Sequence, residues 1–350
     1  MSLTGIPLLI VALALAAALP VLLTLRWRRH TGDSWLGALR QGVAVVLCQL
    51  LAASALFLWV NRQYGFYTSW SDLAGGSTGP ATVQTNGLVP RGSGRVQVLD
   101  VPGRTPADPT RQALVWLPPQ YDQTTAQGTP LPVVMVLPGQ PSTPEVMFRH
   151  FDFGRIAAAE ILAGHIHPFV AVFPPLMTDP PRDTECTDIP GGPHAQTWLT
   201  SSVYQATQRG LRTASAPWSI IGWSTGAFCA AKLVLTHPRQ YQAAVALGGY
   251  YTPLTDKTTG DLFHHSRSAR NANSPSWLYQ HGGLHHRRLL LVSGRQDRGS
   301  WRATQQMLQT TAGDPNVSSL TFPTGGHNYR NYRRYLHDAL RWLDQNRTPH

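Results

Sequence analysis

The chain has 350 residues, enough for one large α/β domain with additional segments. Hydrophobic residues make up 42%, so a sizeable core can be buried, and charged residues only 13% against about 25% in ordinary soluble domains, diluted by an apolar N-terminus. The net charge of +11 comes from scattered arginines without a long basic run or aromatic-interleaved basic motif. That pattern does not read as nucleic-acid binding; attraction to an anionic cell surface or envelope polymer is more economical, and a general charge bias accounts for it without any partner.

Residues 6–25 are apolar apart from Thr24, and residues 43–60 are interrupted only by Gln49 and Ser54. Each run is long enough to cross a hydrocarbon core of about 30 Å. No Lys or Arg precedes Ile6, whereas a cleaved signal carries its positive charge ahead of the apolar stretch. Arg26, Arg28, Arg29 and Arg40 lie between the runs, and short basic loops stay in the cytoplasm. The expectation is a transmembrane hairpin with residues 26–42 inside, the N-terminus outside, and everything beyond Arg62 extracytoplasmic: a multi-pass protein of the plasma membrane. Trp59, Tyr64, Tyr67 and Trp70 would form its outer aromatic belt.

Three domains follow: a membrane anchor over 1–61, a flexible linker over 62–94 and a catalytic domain over 95–350. The linker is rich in Gly, Ser, Thr and Pro. Within it, Leu88-Val89-Pro90-Arg91-Gly92-Ser93 matches a thrombin-type cleavage sequence. Beyond it, strands are predicted at 95–101, 113–117, 131–137, 169–173, 218–222, 243–247, 289–292 and 318–322. Helices are predicted at 153–163, 196–212, 227–235, 301–310 and 332–346. Alternating strands and helices imply a mostly parallel sheet covered on both faces, with its ligand site at the carboxyl ends of the strands. The polar, His-rich stretch 252–288 breaks the alternation and reads as an insertion over that site.

Gly222-Trp223-Ser224-Thr225-Gly226 fits G-x-S-x-G between an apolar strand and a helix, the context of a nucleophile elbow. Gly222 and Gly226 give the tight turn the room it needs, and Ser224 is the expected nucleophile. A serine hydroxyl needs a base. His327, after the strand at 318–322, has the right placement, and Asp297, after the strand at 289–292, would orient it in the chain order Ser, Asp, His. The oxyanion hole would use the N–H of Thr225 and one from Pro138-Gly139-Gln140-Pro141; the prolines have no N–H, which leaves Gly139 or Gln140, with Gln140 preferred. Of the three cysteines, Cys48 lies in the second apolar run. Cys186 and Cys229 fall near the active end of the sheet, and there are two readings: a disulfide, which this placement predicts, or two buried thiols. The adjacent pairs His264-His265 and His285-His286 do not share a helix face, so no metal site is expected.

Leu137-Pro138-Gly139, the elbow, Ser293 to Asp297 and Gly325-Gly326-His327 together resemble the esterase D-like family of α/β-hydrolases, which also contains the antigen 85 mycolyltransferases. Asp183-Thr184-Glu185-Cys186-Thr187-Asp188 with Gly191-Gly192-Pro193 resembles membrane-anchored members of that group. The resemblance covers residues 95–346 and implies an α/β-hydrolase fold and a Ser224-Asp297-His327 triad. It implies an acyl-enzyme, no cofactor, and an acyl ester or lipid as substrate. The mycolyltransferases use a glutamate as triad acid, so Asp297 favours the esterase branch over transfer to an envelope sugar. A hydrolase-fold module that binds without catalysis is the third alternative.

Overall fold

The computed structural model describes residues 5–27, 35–64, 70, 88–90, 92–103, 109–215 and 217–346. Arg28, Arg29 and His30, Tyr67 and most of the expected linker lie outside the described residues. The chain forms two compact units, Met1–Gly79 and Pro80–His350.

The first unit contains the helices Ile6–Trp27 and Trp35–Tyr64, each with a segment long and apolar enough to cross a membrane, Ile6–Leu25 and Leu39–Arg62. They meet over a small cluster, Ala12 against Ala55 and Leu58, and expose most other large apolar side chains, among them Ile10, Leu22, Leu50 and Leu56. A helix apolar on nearly every side has no solvent face to offer.

The second unit is built on one eight-stranded sheet of order β1-β2-β4-β3-β5-β6-β7-β8. The strands are β1 Arg95–Val101, β2 Arg111–Leu117, β3 Val133–Leu137, β4 Val170–Phe173, β5 Trp218–Trp223, β6 Tyr241–Leu247, β7 Arg288–Gly294 and β8 Val317–Phe322. Strands β4 to β8 and β3 pair in parallel, while β1 and β2 form an antiparallel edge joined through β4. Central strands read as continuous apolar runs because both faces are covered. In β7, Leu289 and Leu291 enter one core and Leu290 and Val292 the other. The first core packs under the helices Thr225–Thr236 and Arg298–Thr310; the second packs under Pro144–His150, Phe153–Leu162 and Leu336–Gln345.

Three expectations are corrected. The domain begins before Arg95: Leu88 is buried beside Phe148 in the second core, and Trp116 Nε1 donates to the Ser93 carbonyl (2.9 Å), so residues 88–90 and 92–94 belong to the fold and not to a free linker. The helix expected at 196–212 is Ala195–Thr197, a π turn Trp198–Val203 and Tyr204–Gly210. The last helix is two, Tyr329–Arg333 and Leu336–Gln345, broken at Arg334 and Tyr335; Tyr332 donates to Asp297 and Tyr335 stacks on Phe322. The insertion 252–288 holds two helices, Arg267–Ala272 and Pro275–Gly282, started by Ser266 and Ser274, whose hydroxyls accept from Ala269 and Trp277 N–H.

Candidate active site

Strand β5 delivers Ser224 at its carboxyl end with φ 57° and ψ −118°, a backbone state that a non-glycine residue holds only when its surroundings impose it. The surroundings here are backbone. A Cβ on Gly222 would overlap the Gly226 carbonyl, and one on Gly226 would overlap the Leu137 carbonyl. A Cβ on Gly139 would lie 2.7 Å from the Trp223 ring and 2.9 Å from Ser224 Cβ, so β3 and its turn pass directly under the elbow.

His327 Nε2 lies 2.9 Å from Ser224 Oγ, and His327 Nδ1 lies 2.6 Å from Asp297 Oδ2. Burial alone would raise the Asp297 carboxyl, but hydrogen bonds and charge from His327, then Tyr332, hold it below the usual range. An ionised carboxylate only accepts, so Nδ1 carries the hydrogen and Nε2 is left free to accept from Ser224. Trp223 stacks on the imidazole at 4.8 Å, and Tyr332 O–H donates to the same Asp297 oxygen at 2.6 Å. The two glycines before His327 are both held: Gly325 N–H donates to Gln296 Oε1 and Asn331 Nδ2 to the Gly326 carbonyl, both at 2.9 Å.

These groups face a cleft of about 610 Å³. Gln140 and Thr225 line it beside Ser224. The Ser224 N–H is already given to the Leu247 carbonyl (3.0 Å), whereas Thr225 opens a helix, where the first N–H groups have no acceptor within the helix. Tyr250, Tyr251, Leu254, Asp256 and Thr258 also line the cleft, and the last three lie in 252–288, so the insertion forms part of it. Cys186 and Cys229 are joined, tying the segment after β4 to the elbow helix. Among the described residues no group of three His, Cys, Asp or Glu could hold a metal ion, and His264, His265, His285 and His286 each sit on a turn at positive φ.

The sequence analysis missed Tyr332 and a buried polar cluster behind the elbow. Lys232 is fully buried and donates to the Glu185 and Cys186 carbonyls, Thr187 Oγ1 and Asn273 Oδ1. Burial pushes its ammonium down to about 7, opposed by Glu185 and Asp188. Burial likewise pushes the Glu185 carboxyl up to about 7, opposed by hydrogen bonds from Leu254 and Tyr250. One signal was legible: Lys232 is the lone charge in an otherwise apolar helix, Thr225–Thr236, with no polar face to carry it.

The sheet order, the elbow and the loops after β7 and β8 are those of an α/β hydrolase. Residues 107–343 match the Putative esterase family, and the chain belongs to that family. Among solved structures, it is similar to a ferulic acid esterase (16% identity, TM-score 0.62, covering 72% of this chain and 98% of that one). It is also similar to an S-formylglutathione hydrolase from Agrobacterium tumefaciens (18%, TM-score 0.61, 74% and 97%). An uncharacterized protein of Corynebacterium glutamicum is 25% identical over 258 residues; the match spans 67% of this chain and 57% of that protein's length.

Proposed function

We propose that the protein is a serine esterase held at a membrane by its two N-terminal helices, with its hydrolase domain outside the cytoplasm. The observation that carries the catalytic reading is the relay from Ser224 Oγ through His327 to Asp297, set on a strained elbow at the floor of a cleft. Ser224 Oγ attacks an ester carbonyl while His327 Nε2 takes its proton. The carbonyl electrons move onto oxygen, which the N–H groups of Thr225 and of the 139–140 turn stabilise. Collapse expels the alcohol, protonated by His327, and leaves an acyl-Ser224. Water, deprotonated by His327, releases the acid and restores the serine. The likeness to a ferulic acid esterase and an S-formylglutathione hydrolase, together with family membership, supports an ester as substrate.

Ser224→Ala leaves only binding and oxyanion effects, and a loss on the order of 10⁶-fold in ester hydrolysis is expected. Fluorophosphonate labelling of wild type and not of Ser224→Ala checks the nucleophile, and retained hydrolysis by the variant refutes it. Membrane anchoring is supported by the apolar outer surfaces of both helices and by the arginines between them. A cysteine placed at the exposed Gln127 should react with an impermeant maleimide in intact cells. Labelling only after permeabilisation places the domain in the cytoplasm instead.

A further inference from the structure

Beside the elbow, the segment 183–188 crosses the start of the helix Thr225–Thr236, and Asp183 also lines the cleft that holds Ser224. Asp183 Oδ2 accepts from Thr225 Oγ1 at 2.9 Å, and Oδ1 accepts from the Glu185 N–H at 2.9 Å. Asp183 is 4% exposed and Glu185 is fully buried. Tyr250 O–H donates to Glu185 Oε1 at 2.7 Å and lies 3.4 Å from Thr225 Oγ1. The Thr225 hydroxyl is therefore held by one carboxylate and flanked by a phenol that a second carboxylate holds. The segment itself cannot drift: Cys186 is bonded to Cys229, one turn along the same helix, and Lys232, a further turn on, takes the Glu185 and Cys186 carbonyls.

Burying two carboxylates beside a site where an oxyanion develops is costly on charge alone. Their benefit is then geometric. Threonine is stiff about χ1, so a fixed Oγ1 fixes Cβ and Cα and limits rocking of the Ser224–Thr225 peptide. That peptide carries the elbow's free N–H, since the Ser224 N–H is given to Leu247. We propose that Asp183 is a positioning residue for ester cleavage: by clamping the Thr225 side chain it aims the Thr225 N–H at the oxyanion. This rests on the assignment of Ser224 as nucleophile. The clamp acts in the transition state and leaves ground-state binding nearly alone, which separates it from a substrate contact and from general stability.

The test uses the full chain in detergent, with p-nitrophenyl butyrate as substrate and phenylboronic acid as a probe that forms a tetrahedral adduct. Thr225→Val, which keeps the shape and loses the hydroxyl, should lower kcat about 10-fold and weaken boronate by a similar factor, with KM within about 2-fold, a fraction of the 10²–10³ loss on deleting an oxyanion donor. Thr225→Ser should recover most of that loss. Asp183→Ala should match Thr225→Val, and the double variant should lose no more than either single change. If Asp183→Ala does not accumulate folded, the Val and Ser variants at 225 decide. An unchanged kcat in Thr225→Val, an effect on KM alone, or additive losses overturn the clamp. Wild type labelled at Ser224 by a fluorophosphonate while Thr225→Val keeps full kcat means that the clamp alone is wrong. Wild type that does not label removes the nucleophile assignment and the clamp with it.

Discussion

Buried carboxyl groups lie on two sides of Ser224, Asp297 on one and Asp183 with Glu185 on the other, and the two sides are pushed in opposite directions. Asp297 is 6% exposed, yet it stays below the usual carboxylate range because His327, Tyr332 and the Ser300 N–H all donate to it. Asp183 and Glu185 are as deeply buried, and there burial outweighs their donors and raises both. Burial is common to the two sides, so it does not distinguish them. What differs is the nearby basic group: the His327 imidazole sits directly on Asp297, whereas the Lys232 ammonium bonds the Glu185 carbonyl and not its carboxylate. The first arrangement suits a charge that must be present in the transition state, and the second suits a fixed scaffold.

The sharpest way to break this contrast is Asp297→Asn, which keeps the shape and removes the charge. Hydrolysis should fall by roughly 10⁴-fold, as for a triad aspartate in a serine protease, because the imidazole loses its tautomer and its counter-charge. A loss below 10-fold would shift the acid role elsewhere. On the other side, Cys186→Ser should destabilise the hydrolase domain by about 4 kcal/mol, less native strain, for a loop closed across 43 residues. Thiol counting on denatured, unreduced protein should find one thiol, that of Cys48; three thiols would remove the crosslink.

Glu185→Gln probes the raised carboxyl. With a folded value of about 7 against an ordinary 4.5, the folded state holds this proton more tightly. Its contribution is complete below pH 4.5 and is lost as pH rises through 7, by at most roughly 3 kcal/mol. Asp297 runs the other way: its stabilisation is present above the ordinary carboxylate range and disappears as pH falls below it. Denaturant midpoints between pH 4.5 and 7.5 should decline with pH in wild type and stay flatter in Glu185→Gln. Parallel slopes would mean that Glu185 is ionised throughout. The smallest expected effect is that of Tyr332→Phe, which removes one donor from Asp297. A loss of about 1 kcal/mol, several-fold in kcat with KM little changed, should be accompanied by a shift in the acid limb of the pH–rate profile. A pure stability loss with an unmoved profile would make Tyr332 a packing residue.

Much of this molecule was legible in the sequence because the signals are local. Apolar runs of 18 to 20 residues, apolar stretches ended by Pro or Gly, and a glycine-bounded serine between strand and helix each follow from steric or solvation rules that act over a few residues. The order of Ser224, Asp297 and His327 followed from which loops leave the carboxyl ends of β5, β7 and β8, so topology brought together residues 30 and 103 positions apart. Other features had no local sign. Trp116 capturing the Ser93 carbonyl, Tyr332 reaching Asp297 from the last pair of helices, and Asp183 meeting Thr225 across 42 residues are choices among many possible partners. A polar side chain's sequence shows that it can donate or accept; only the packed chain decides with whom, because a buried polar group must be satisfied by whatever the fold brings within 3 Å.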